Sequence, residues 1–481
     1  IDACLVGSEM CIRDRYFDPL NLESVSEILL REKAHGILLQ FGGQTAINLA
    51  LPLSENLHQL EKMGLNLSIE GTTPESVDEA SDRKRFEDFA KRCNLRMPRG
   101  TTAIDPEGVR EAVSVIGYPV LIRPSYVLGG RGMEILSNDD QLEAYMREAY
   151  LSPERPLLID EYLGNAIELD VDAVCDGKEV LIGAIMEHLE EAGIHSGDST
   201  CFIPPQNIPE KILDLVEQWT TVIGLELGIM GCYNIQFAIR GEELYVLEVN
   251  PRGSRTFPFV AKATGVPLAR IAARVALGEK LSSLDIPKPQ SEAVSVKAPV
   301  FPFIKLRGLD PAPGPEMKST GEVMGSHARP AAAYLKARMA TELPVPTTGG
   351  VYLTVKDEDK HDTIPLAKRL QEMGFKIFAT PGTASELRKG SIDVETCYRI
   401  AERKSPDALD LMRRGMIQLV INTPTASGGA VLDGNMMRRL AVELNIPFVT
   451  TMAGARMEVE AIAEMQLGTP EPRLLEISTL E

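Results

Sequence analysis

The sequence predicts a multidomain chain with mixed α/β and α+β folds. At 481 residues the chain is too long for one hydrophobic core, and one domain for each ~150 residues suggests about three units. From residue 16 onward, helical patterns alternate with short apolar strands, as in residues 22–33 followed by residues 36–40. A proline- and glycine-containing segment at residues 343–350 precedes a second alternating series. These observations indicate α/β units joined in sequence.

Composition and charge exclude several classes of protein. Hydrophobic residues make up 44% and charged residues 25% of the chain, and no apolar stretch of about 18 residues could span a membrane. The net charge of −19 and the pI near 5.0 argue against nonspecific nucleic-acid binding. The seven cysteines include no Cys-x-x-Cys pair, so neither a zinc site nor a disulfide framework is indicated. We therefore expect a cytoplasmic protein without nucleic-acid or membrane partners.

The first fifteen residues differ in character from the rest. They lack the long apolar core and the small-residue cleavage site of a signal peptide. Residues 4–15 instead resemble translated sequencing-adaptor sequence. We expect residues 1–15 to be a foreign or artefactual segment and leave them out of functional reasoning.

The first unit, residues 16–80, contains a glycine-rich turn after a predicted strand at residues 36–40. The turn reads Phe41-Gly42-Gly43-Gln44-Thr45 and opens a predicted helix. In open α/β sheets, ligands bind at this position. A tight strand-to-helix turn also needs glycines for steric reasons, and the sequence leaves both interpretations open.

The second unit, residues 81–342, begins with a helix predicted over residues 78–93. A strand over residues 118–126 carries Arg123, and the loop at residues 128–132 resembles either a phosphate-covering glycine loop or a hairpin turn. No Walker motif is present. In residues 167–174 three acidic residues alternate with apolar ones, so a row of carboxylates faces either solvent or cations and ligand hydroxyls. Residues 186–199 form a polar segment between strands, where two of the six histidines lie.

The most informative pattern is a predicted β-hairpin over residues 234–250. If the turn centres on Glu242, with Gly241 supplying the flexible backbone, Gln236 pairs with Glu248, and Asn250 follows on the same face. Their oxygens suit Mg²⁺, which commonly bridges protein carboxylates and nucleotide phosphates. The surrounding run is apolar, and a buried glutamate needs a partner or a metal. The hairpin therefore predicts a magnesium site for ATP chemistry.

The third unit, residues 343–481, reads as a small α/β sheet. Strands are predicted over residues 351–355, 376–379 and 419–422, and a helix over residues 363–373. Thr380, Thr383 and Asn422 follow strand ends, where a small anionic ligand fits the crevice of such a sheet. Ordinary turn chemistry explains the same residues equally well.

An ordered series of motifs resembles one family. The series comprises Arg123-Pro124-Ser125-Tyr126, Glu168-x-Asp170-x-Asp172, Met186-Glu187-His188, His195-Ser196-Gly197-Asp198-Ser199, Asn234-Ile235-Gln236-Phe237 and Glu248-Val249-Asn250-Pro251-Arg252. It resembles the C-terminal half of the large subunit of carbamoyl-phosphate synthase. The resemblance implies a partial, Rossmann-like pre-ATP-grasp unit at residues 16–80. It further implies an ATP-grasp domain that phosphorylates carbamate at residues 81–342 and a methylglyoxal-synthase-like allosteric domain at residues 343–481.

The resemblance also implies roles for individual residues. ATP would be bound by Arg123, Glu161, Leu163, Glu168, Gly193, Ile194, His195, Ser196, Gln236, Glu248 and Asn250. Two Mg²⁺ or Mn²⁺ ions would be held by Gln236, Glu248 and Asn250. Arg123, Arg252 and Arg255 would act on the phosphates and on carbamate, while His195 would orient a ligand instead of acting as a base. A potassium ion would be held by Glu168, His188, Glu190 and Ser199.

In the third unit the resemblance implies an effector site for a nucleotide or ornithine. Its residues would be Lys360, Thr380, Thr383, Arg399 and Asn422. Pro381, Arg399 and Pro424 depart from residues that family members can carry at these positions, which leaves the identity of the effector open.

The implied reaction is phosphorylation of carbamate by MgATP to carbamoyl phosphate, which supplies pyrimidine and arginine biosynthesis. The implied partners are a glutaminase small subunit and an amino-terminal synthetase half, neither of which the sequence contains. We expect the chain alone to retain at most the carbamate step. Two alternatives stay open: another ATP-grasp carboxylate ligase, or a catalytically silent fragment that binds ATP or an effector.

Overall fold

The computed structural model describes residues 16–124, 132–148, 156–289, 293–305, 309–424 and 429–468. Residues 1–15 and most of the glycine loop predicted at residues 128–132 lie outside this part of the chain. The described residues form four sheets with helices packed against them, so the mixed α/β and α+β prediction is confirmed. No helix in the described ranges combines the length and the apolar character needed to cross a bilayer.

The first unit is a small α/β layer. Its elements are α1 (Leu22–Glu32), β1 (Gly36–Leu38), α2 (Gly43–Ile47), α3 (Ala50–Lys62), β2 (Ser68–Glu70) and α4 (Pro74–Ser81). Strands β1 and β2 pair in parallel, and leucines of α1 and α3 pack beside them. The turn at residues 41–45 follows β1 and opens α2, as the sequence predicts.

The second unit starts with a four-stranded antiparallel sheet in the order β3-β6-β4-β5. Its elements are α5 (Arg83–Arg92), β3 (Gly100–Ala103), α6 (Pro106–Ile116), β4 (Val120–Pro124), β5 (Glu134–Leu136), α7 (Asp139–Glu148) and β6 (Leu157–Glu161). The single helix predicted over residues 78–93 is wrong. Asp82 has an extended backbone, and its side chain accepts a hydrogen bond from the backbone N–H of Arg85, so it ends α4 and caps α5.

A seven-stranded sheet completes the second unit in the order β11-β10-β7-β8-β9-β12-β13. Its elements are β7 (Ile167–Asp176), β8 (Val180–Glu191), β9 (Cys201–Ile203), α8 (Glu210–Glu226), β10 (Met230–Arg240), β11 (Glu243–Asn250), α9 (Phe257–Thr264), α10 (Leu268–Ala276), β12 (Val294–Val300), β13 (Gly321–His327) and α11 (Pro330–Ala340). Residues 186–191 belong to β8 and do not lie between strands as predicted. The reason is that β7 pairs with β8 along this stretch, where Glu187 and His188 are buried.

The third unit is a parallel sheet in the order β16-β15-β14-β17-β18. Its elements are β14 (Gly350–Thr354), α12 (Thr363–Glu372), β15 (Lys376–Ala379), α13 (Pro381–Lys389), β16 (Val394–Thr396), α14 (Ala408–Arg413), β17 (Leu419–Asn422), α15 (Gly429–Glu443), β18 (Phe448–Val449) and α16 (Met452–Leu467). The predicted strands and the helix at residues 363–373 are confirmed to within a residue or two. Threonines and an asparagine at the carboxyl ends of β15 and β17 therefore share one edge of the sheet.

The second and third units meet where α11 packs against α16. The Glu458 side chain is fully buried and accepts hydrogen bonds from Tyr334 Oη over 2.9 Å and from Arg338 Nε over 3.0 Å. Apolar side chains of both helices surround the ion pair. A charge buried in this way needs its partner, because water cannot solvate it.

The Arg338→Met variant should destabilise this contact by about 3 kcal/mol, because it leaves the buried carboxylate of Glu458 without its counter-ion. The pair of the exposed Arg329 with Glu464 provides a matched control, and Arg329→Ala should cost much less stability, because water solvates an exposed guanidinium. Urea unfolding of the three proteins measures the difference. Equal losses for the two variants would contradict the assignment of Glu458 as a buried, partner-dependent charge.

Candidate functional site

The predicted hairpin is present and carries the candidate metal ligands on one face. Strands β10 and β11 are joined by Gly241 and Glu242, and the φ of +65° at Gly241 is one that favours glycine. Gln236 lies opposite Glu248 as expected, but the turn is not centred on Glu242: Arg240 pairs with Glu243, and a β-bulge between Gln236 and Phe237 then shifts the register by one residue. Asn250 follows Glu248 by two residues and so lies on the same face of the strand.

Side-chain hydrogen bonds orient these three residues. Asn250 Nδ2 donates to Glu248 Oε1 over 2.9 Å, and Gln236 Nε2 donates to Ser196 Oγ over 3.2 Å. Because the amide nitrogens make these bonds, Gln236 Oε1 stays available as a ligand atom, and Asn250 Oδ1 keeps one lone pair beside the hydrogen bond that it accepts from Arg252. This donor set suits Mg²⁺, which prefers oxygen. Within the described ranges, no three His, Cys, Asp or Glu side chains form a group that could hold a metal ion. A cation at the trio would therefore depend on the two amides and on nucleotide phosphates.

Arg252 extends this chain of hydrogen bonds toward the first unit. Its Nη2 atom donates to Asn250 Oδ1 over 3.1 Å, and its Nε atom donates to Gln44 Oε1 over 2.8 Å. Burial lowers the pKa of Arg252 from its ordinary value. The guanidinium is thus held beside the candidate metal ligands by contacts on two sides.

Arg123 approaches the trio from the smaller sheet of the second unit. Its Nη1 atom lies 3.9 Å from Glu248 Oε2, and its Nε atom lies 3.7 Å from Asp160 Oδ2. Asp160 is buried and also pairs with Arg83 at 2.7 Å. A Cβ atom at Gly100 would come within 2.0 Å of Asp160 Oδ1, so glycine leaves room for this carboxylate. Asp160 therefore pairs most closely with Arg83, and it supplies a negative charge beside Arg123 at a distance longer than a hydrogen bond.

The three carboxylates that alternate along β7 are all buried, with at most 5% of each residue exposed: Glu168, Asp170 and Asp172. The solvent-facing alternative is therefore wrong for this row. Asp172 Oδ1 accepts hydrogen bonds from Asn234 Nδ2 over 2.9 Å and Ser254 Oγ over 2.7 Å, and Oδ2 accepts one from Thr256 Oγ1 over 2.6 Å. Asp172 thus joins the central strands to the segment that carries Arg252 and Arg255.

His188 lies between two carboxylates of the same row. Its Nδ1 atom is 3.4 Å from Glu168 Oε2, and its Nε2 atom is 3.2 Å from Asp170 Oδ2. Burial alone would lower the pKa of His188, but Cys201 and Asp170 outweigh burial and raise it well above the ordinary value. A protonated ring has no nitrogen free to bind a cation. The potassium site that the resemblance assigns to Glu168, His188, Glu190 and Ser199 stays a prediction.

His195 lies in the loop after β8 that the resemblance assigns to the nucleotide. Burial lowers the pKa of His195, with a smaller contribution from the charge of Arg255. Its Nδ1 atom accepts a hydrogen bond from the backbone N–H of Gly197 over 3.0 Å, so the proton of the neutral ring lies on Nε2. His195 can therefore donate a hydrogen bond to a ligand, which agrees with the expected orienting role.

Lys297 supports the same loop from β12. Its side chain is fully buried, and Nζ donates to the carbonyl oxygen of Ser196 over 3.1 Å. Glu168 Oε1 accepts a hydrogen bond from the backbone N–H of Gly193 over 2.9 Å. The buried side chains of Lys297 and Glu168 therefore bind the backbone of the loop, the first at Ser196 and the second at Gly193.

The two residues that the resemblance assigns to the nucleotide in residues 161–163, Glu161 and Leu163, have different surroundings. The carboxylate of Glu161 is bound by Arg240 Nη1 and Arg99 Nε, each over 2.9 Å. Leu163 is buried and packs in an apolar cluster with Leu247. The side chain of Glu161 is thus engaged within the protein, whereas Leu163 contributes an apolar surface.

A cavity of about 1070 Å³ lies between the second and third units. Gly193 and Ile194 line it from the second unit. Four predicted effector residues line it from the third unit: Lys360, Thr380, Arg399 and Asn422. The fifth, Thr383, is fully buried and contacts Thr380 Oγ1 at 3.3 Å. The predicted effector residues and part of the predicted nucleotide loop therefore face one space.

Arg438 of the third unit and Asp310 of the second unit both line this cavity and form an ion pair. Arg438 is 2% exposed, donates from Nε to Asp310 Oδ1 over 2.8 Å, and also donates to Asn422 Oδ1. Despite burial, which opposes ionisation, Arg438 lowers the pKa of Asp310. Four residues after Asp310, the carbonyl of Gly314 accepts a hydrogen bond from the backbone N–H of His195 over 2.9 Å. Asn422 is thus connected to the nucleotide loop through a short series of polar contacts.

Sequence reasoning did not assign five residues that the structure brings to these sites: Asp160, Asp172, Lys297, Asp310 and Arg438. A signal existed for Lys297, which interrupts the apolar run of β12. Asp172 was part of the noted acidic row. The other three lie in segments whose composition does not distinguish them.

Family models match three parts of the chain. The model described as "Carbamoyl-phosphate synthase L chain, ATP binding domain" matches residues 82–284. An "MGS-like domain" model matches residues 362–450, and a "Carbamoyl phosphate synthase preATP-grasp domain" model matches residues 4–79.

Two curated relatives are similar over nearly the whole chain. A carbamoyl phosphate synthase large chain of Methanothermobacter thermautotrophicus is 47% identical, and the match covers 96% of this chain and 43% of that protein. The C-terminal section of such a large chain from Methanocaldococcus jannaschii is 46% identical, and the match covers 94% of this chain and 74% of that protein. The chain therefore spans less than half the length of the first relative and about three quarters of the second.

A solved structure shares the fold over about two thirds of the chain. The biotin carboxylase domain of the 2-oxoglutarate carboxylase from Hydrogenobacter thermophilus, described in complex with MgADP, ADP and bicarbonate, matches with a TM-score of 0.50 and 19% identity. The match covers 65% of this chain and 74% of that one. At this identity the likeness concerns the fold alone.

The Asp172→Asn variant should alter how stability depends on pH. Burial raises the pKa of Asp172 to about 7, against about 3.9 for an exposed aspartate. The folded protein keeps a proton that the unfolded chain releases, so this group's stabilisation is complete below about pH 4 and is lost as pH rises through about 7, by up to about 1.4 kcal/mol per pH unit. Denaturant unfolding at several pH values should show a smaller decline for the variant.

Asp214→Asn, on the exposed side of α8, provides the control and should keep the decline of the unmodified protein. An identical pH dependence in the unmodified protein and Asp172→Asn would contradict the prediction.

Proposed function

The chain belongs to the carbamoyl phosphate synthase large chain family, and from this premise we propose that it phosphorylates carbamate with MgATP, giving carbamoyl phosphate and ADP. The observation that carries the proposal is the set of contacts joining Arg123, Glu248, Asn250 and Arg252. These contacts gather two cations and a metal-binding oxygen set on the face of one hairpin. Phosphoryl transfer needs this combination, since catalysis consists mainly of positioning anions and stabilising their charge.

In the proposed mechanism, Arg123 and Arg252 hold the two anionic reactants beside the candidate metal ligands of the hairpin. Carbamate is already an anionic nucleophile, so no general base is required. His195 donates a hydrogen bond from Nε2 and orients the nucleotide, while Lys297 holds the backbone of its loop. Orienting reactants in this way accounts for a large share of the barrier reduction in such reactions.

Gln236, Glu248 and Asn250 would hold the divalent cation through their oxygens. When bound, Mg²⁺ or Mn²⁺ would neutralise charge on the nucleotide phosphates. The potassium ion, the glutaminase partner and the amino-terminal synthetase half are part of the same proposal, and they rest on family membership alone.

The third unit is proposed to regulate this reaction by binding a nucleotide or ornithine. The support is the cavity of about 1070 Å³, which Lys360, Arg399, Thr380 and Asn422 line. Two of these residues are cationic, which suits a phosphate group.

Glu248→Gln should lower the rate of ATP formation from ADP and carbamoyl phosphate by about 100-fold or more, because it removes the single carboxylate of the metal set. The assay runs the proposed step in reverse, with Mg²⁺ and the isolated chain. Glu242→Gln, at the exposed turn of the same hairpin, should keep full activity. Unchanged turnover in Glu248→Gln would refute the metal assignment, and a folded but inactive unmodified chain would refute the catalytic proposal.

Arg399→Ala should weaken binding of uridine or inosine monophosphate by about tenfold, because it removes a charge-assisted contact to phosphate. Isothermal titration calorimetry measures the affinity, with ornithine as a third ligand. Arg403→Ala removes a cation four residues away that does not line the cavity, and should leave the affinity unchanged. If none of the three ligands binds, the proposed effector site is refuted, and ordinary turn chemistry explains Thr380, Thr383 and Asn422.

A further inference from the structure

The first unit binds the segment that follows β11 through one buried glutamine. Gln40 Nε2 donates to the carbonyl oxygens of Cys232 and Pro251, each over 3.1 Å. In return, the backbone N–H of Gly253 donates to the carbonyl oxygen of Gln40 over 2.9 Å. The backbone on both sides of Arg252 is therefore hydrogen-bonded to one residue of the first unit.

The surroundings of Gln40 leave space for this side chain, which is 1% exposed. A Cβ atom at Gly71 would come within 2.3 Å of Gln40 Oε1, and one at Gly231 would come within 2.6 Å. Thr72 Oγ1 lies 3.0 Å from Gln40 Nε2 and shares its two N–H groups with the two carbonyl oxygens. Two glycines from different units thus permit the close approach, and this junction leaves little freedom in where the backbone near Arg252 lies.

Gln44, four residues after Gln40, contacts the Arg252 side chain itself. Gln44 Oε1 accepts from Arg252 Nε over 2.8 Å, while Arg252 Nη2 donates to Asn250 Oδ1 over 3.1 Å. A guanidinium is planar and its N–H groups point in fixed directions, so two acceptors at two different nitrogens define its plane. Asn250 in turn donates to Glu248. One hydrogen-bonded chain therefore runs from the first unit to the candidate metal ligands.

We propose that Gln44 is a positioning residue that holds Arg252 in the orientation needed to bind the carbamate or the transferring phosphoryl group. The inference rests on the proposed carbamate kinase step. It also gives the glycine-rich turn at residues 41–45 a specific role, because the turn presents a side-chain acceptor to an arginine of the second unit. The first unit is thereby part of the acceptor side of the reaction site.

Gln44→Leu keeps the side-chain size but removes the acceptor. In the reverse reaction it should lower kcat and raise the KM for carbamoyl phosphate, with a combined loss in kcat/KM of about tenfold or more. The KM for MgADP should change by less than about twofold, because Gln44 does not contact residues assigned to the nucleotide. Gln44→Glu keeps an oxygen acceptor for Arg252 Nε and should recover most of the lost activity.

Asn48→Ala is the matched control, since it removes the other side-chain hydrogen bond of Gln44, from Nε2 to Asn48 Oδ1 over 2.9 Å. This variant should keep the kinetic constants of the unmodified chain. Unmodified constants in Gln44→Leu, or an equal loss in Gln44→Leu and Gln44→Glu, would overturn the proposal.

A structural readout separates this inference from the proposed function. If the unmodified chain forms no ATP, the proposed function fails, and crystal structures of the unmodified chain and Gln44→Leu then decide the role of Gln44. Displacement of the Arg252 guanidinium from Asn250 Oδ1 in the variant would support positioning. An unchanged Arg252 side chain would overturn it.

Discussion

Carboxylates buried in the central sheet need hydrogen-bond donors, and the rest of the structure depends on this need. Asp172 meets this requirement with Asn234, Ser254 and Thr256, which belong to the neighbouring strand and to the segment after β11. A carboxylate in this environment would cost several kcal/mol without donors. The same contacts therefore stabilise the sheet and hold the segment that carries Arg252 at its edge.

The candidate site is assembled from all three units. The second unit supplies the hairpin, the first supplies Gln40 and Gln44, and the third reaches the nucleotide loop through Arg438 and Asp310. Each of these contacts is a hydrogen bond or ion pair with a buried or half-buried partner, where the lower dielectric strengthens it.

Local pattern predicted the elements well where one periodicity dominated. The hairpin, the helix at residues 363–373 and the strands at residues 376–379 and 419–422 follow from periodicity and from turn residues. The prediction of one helix over residues 78–93 was wrong. A helix interior can accommodate an aspartate, but Asp82 instead ends one helix and caps the start of the next. The prediction of a segment between strands was wrong at residues 186–191. A polar composition is typical of a loop, and only the structure shows that these residues pair within a buried sheet.

The sequence by itself determined the hairpin and the face shared by Glu248 and Asn250, because a period of two residues needs no help from the rest of the fold. A β-bulge between Gln236 and Phe237, which no local pattern encodes, brings Gln236 opposite Glu248. Only the tertiary structure decided what holds the arginines beside them. Gln44 and Arg252 are 208 residues apart, and Asp310 and Arg438 are 128 apart. Whether such side chains meet depends on how separately folded layers pack, and no local periodicity encodes that geometry.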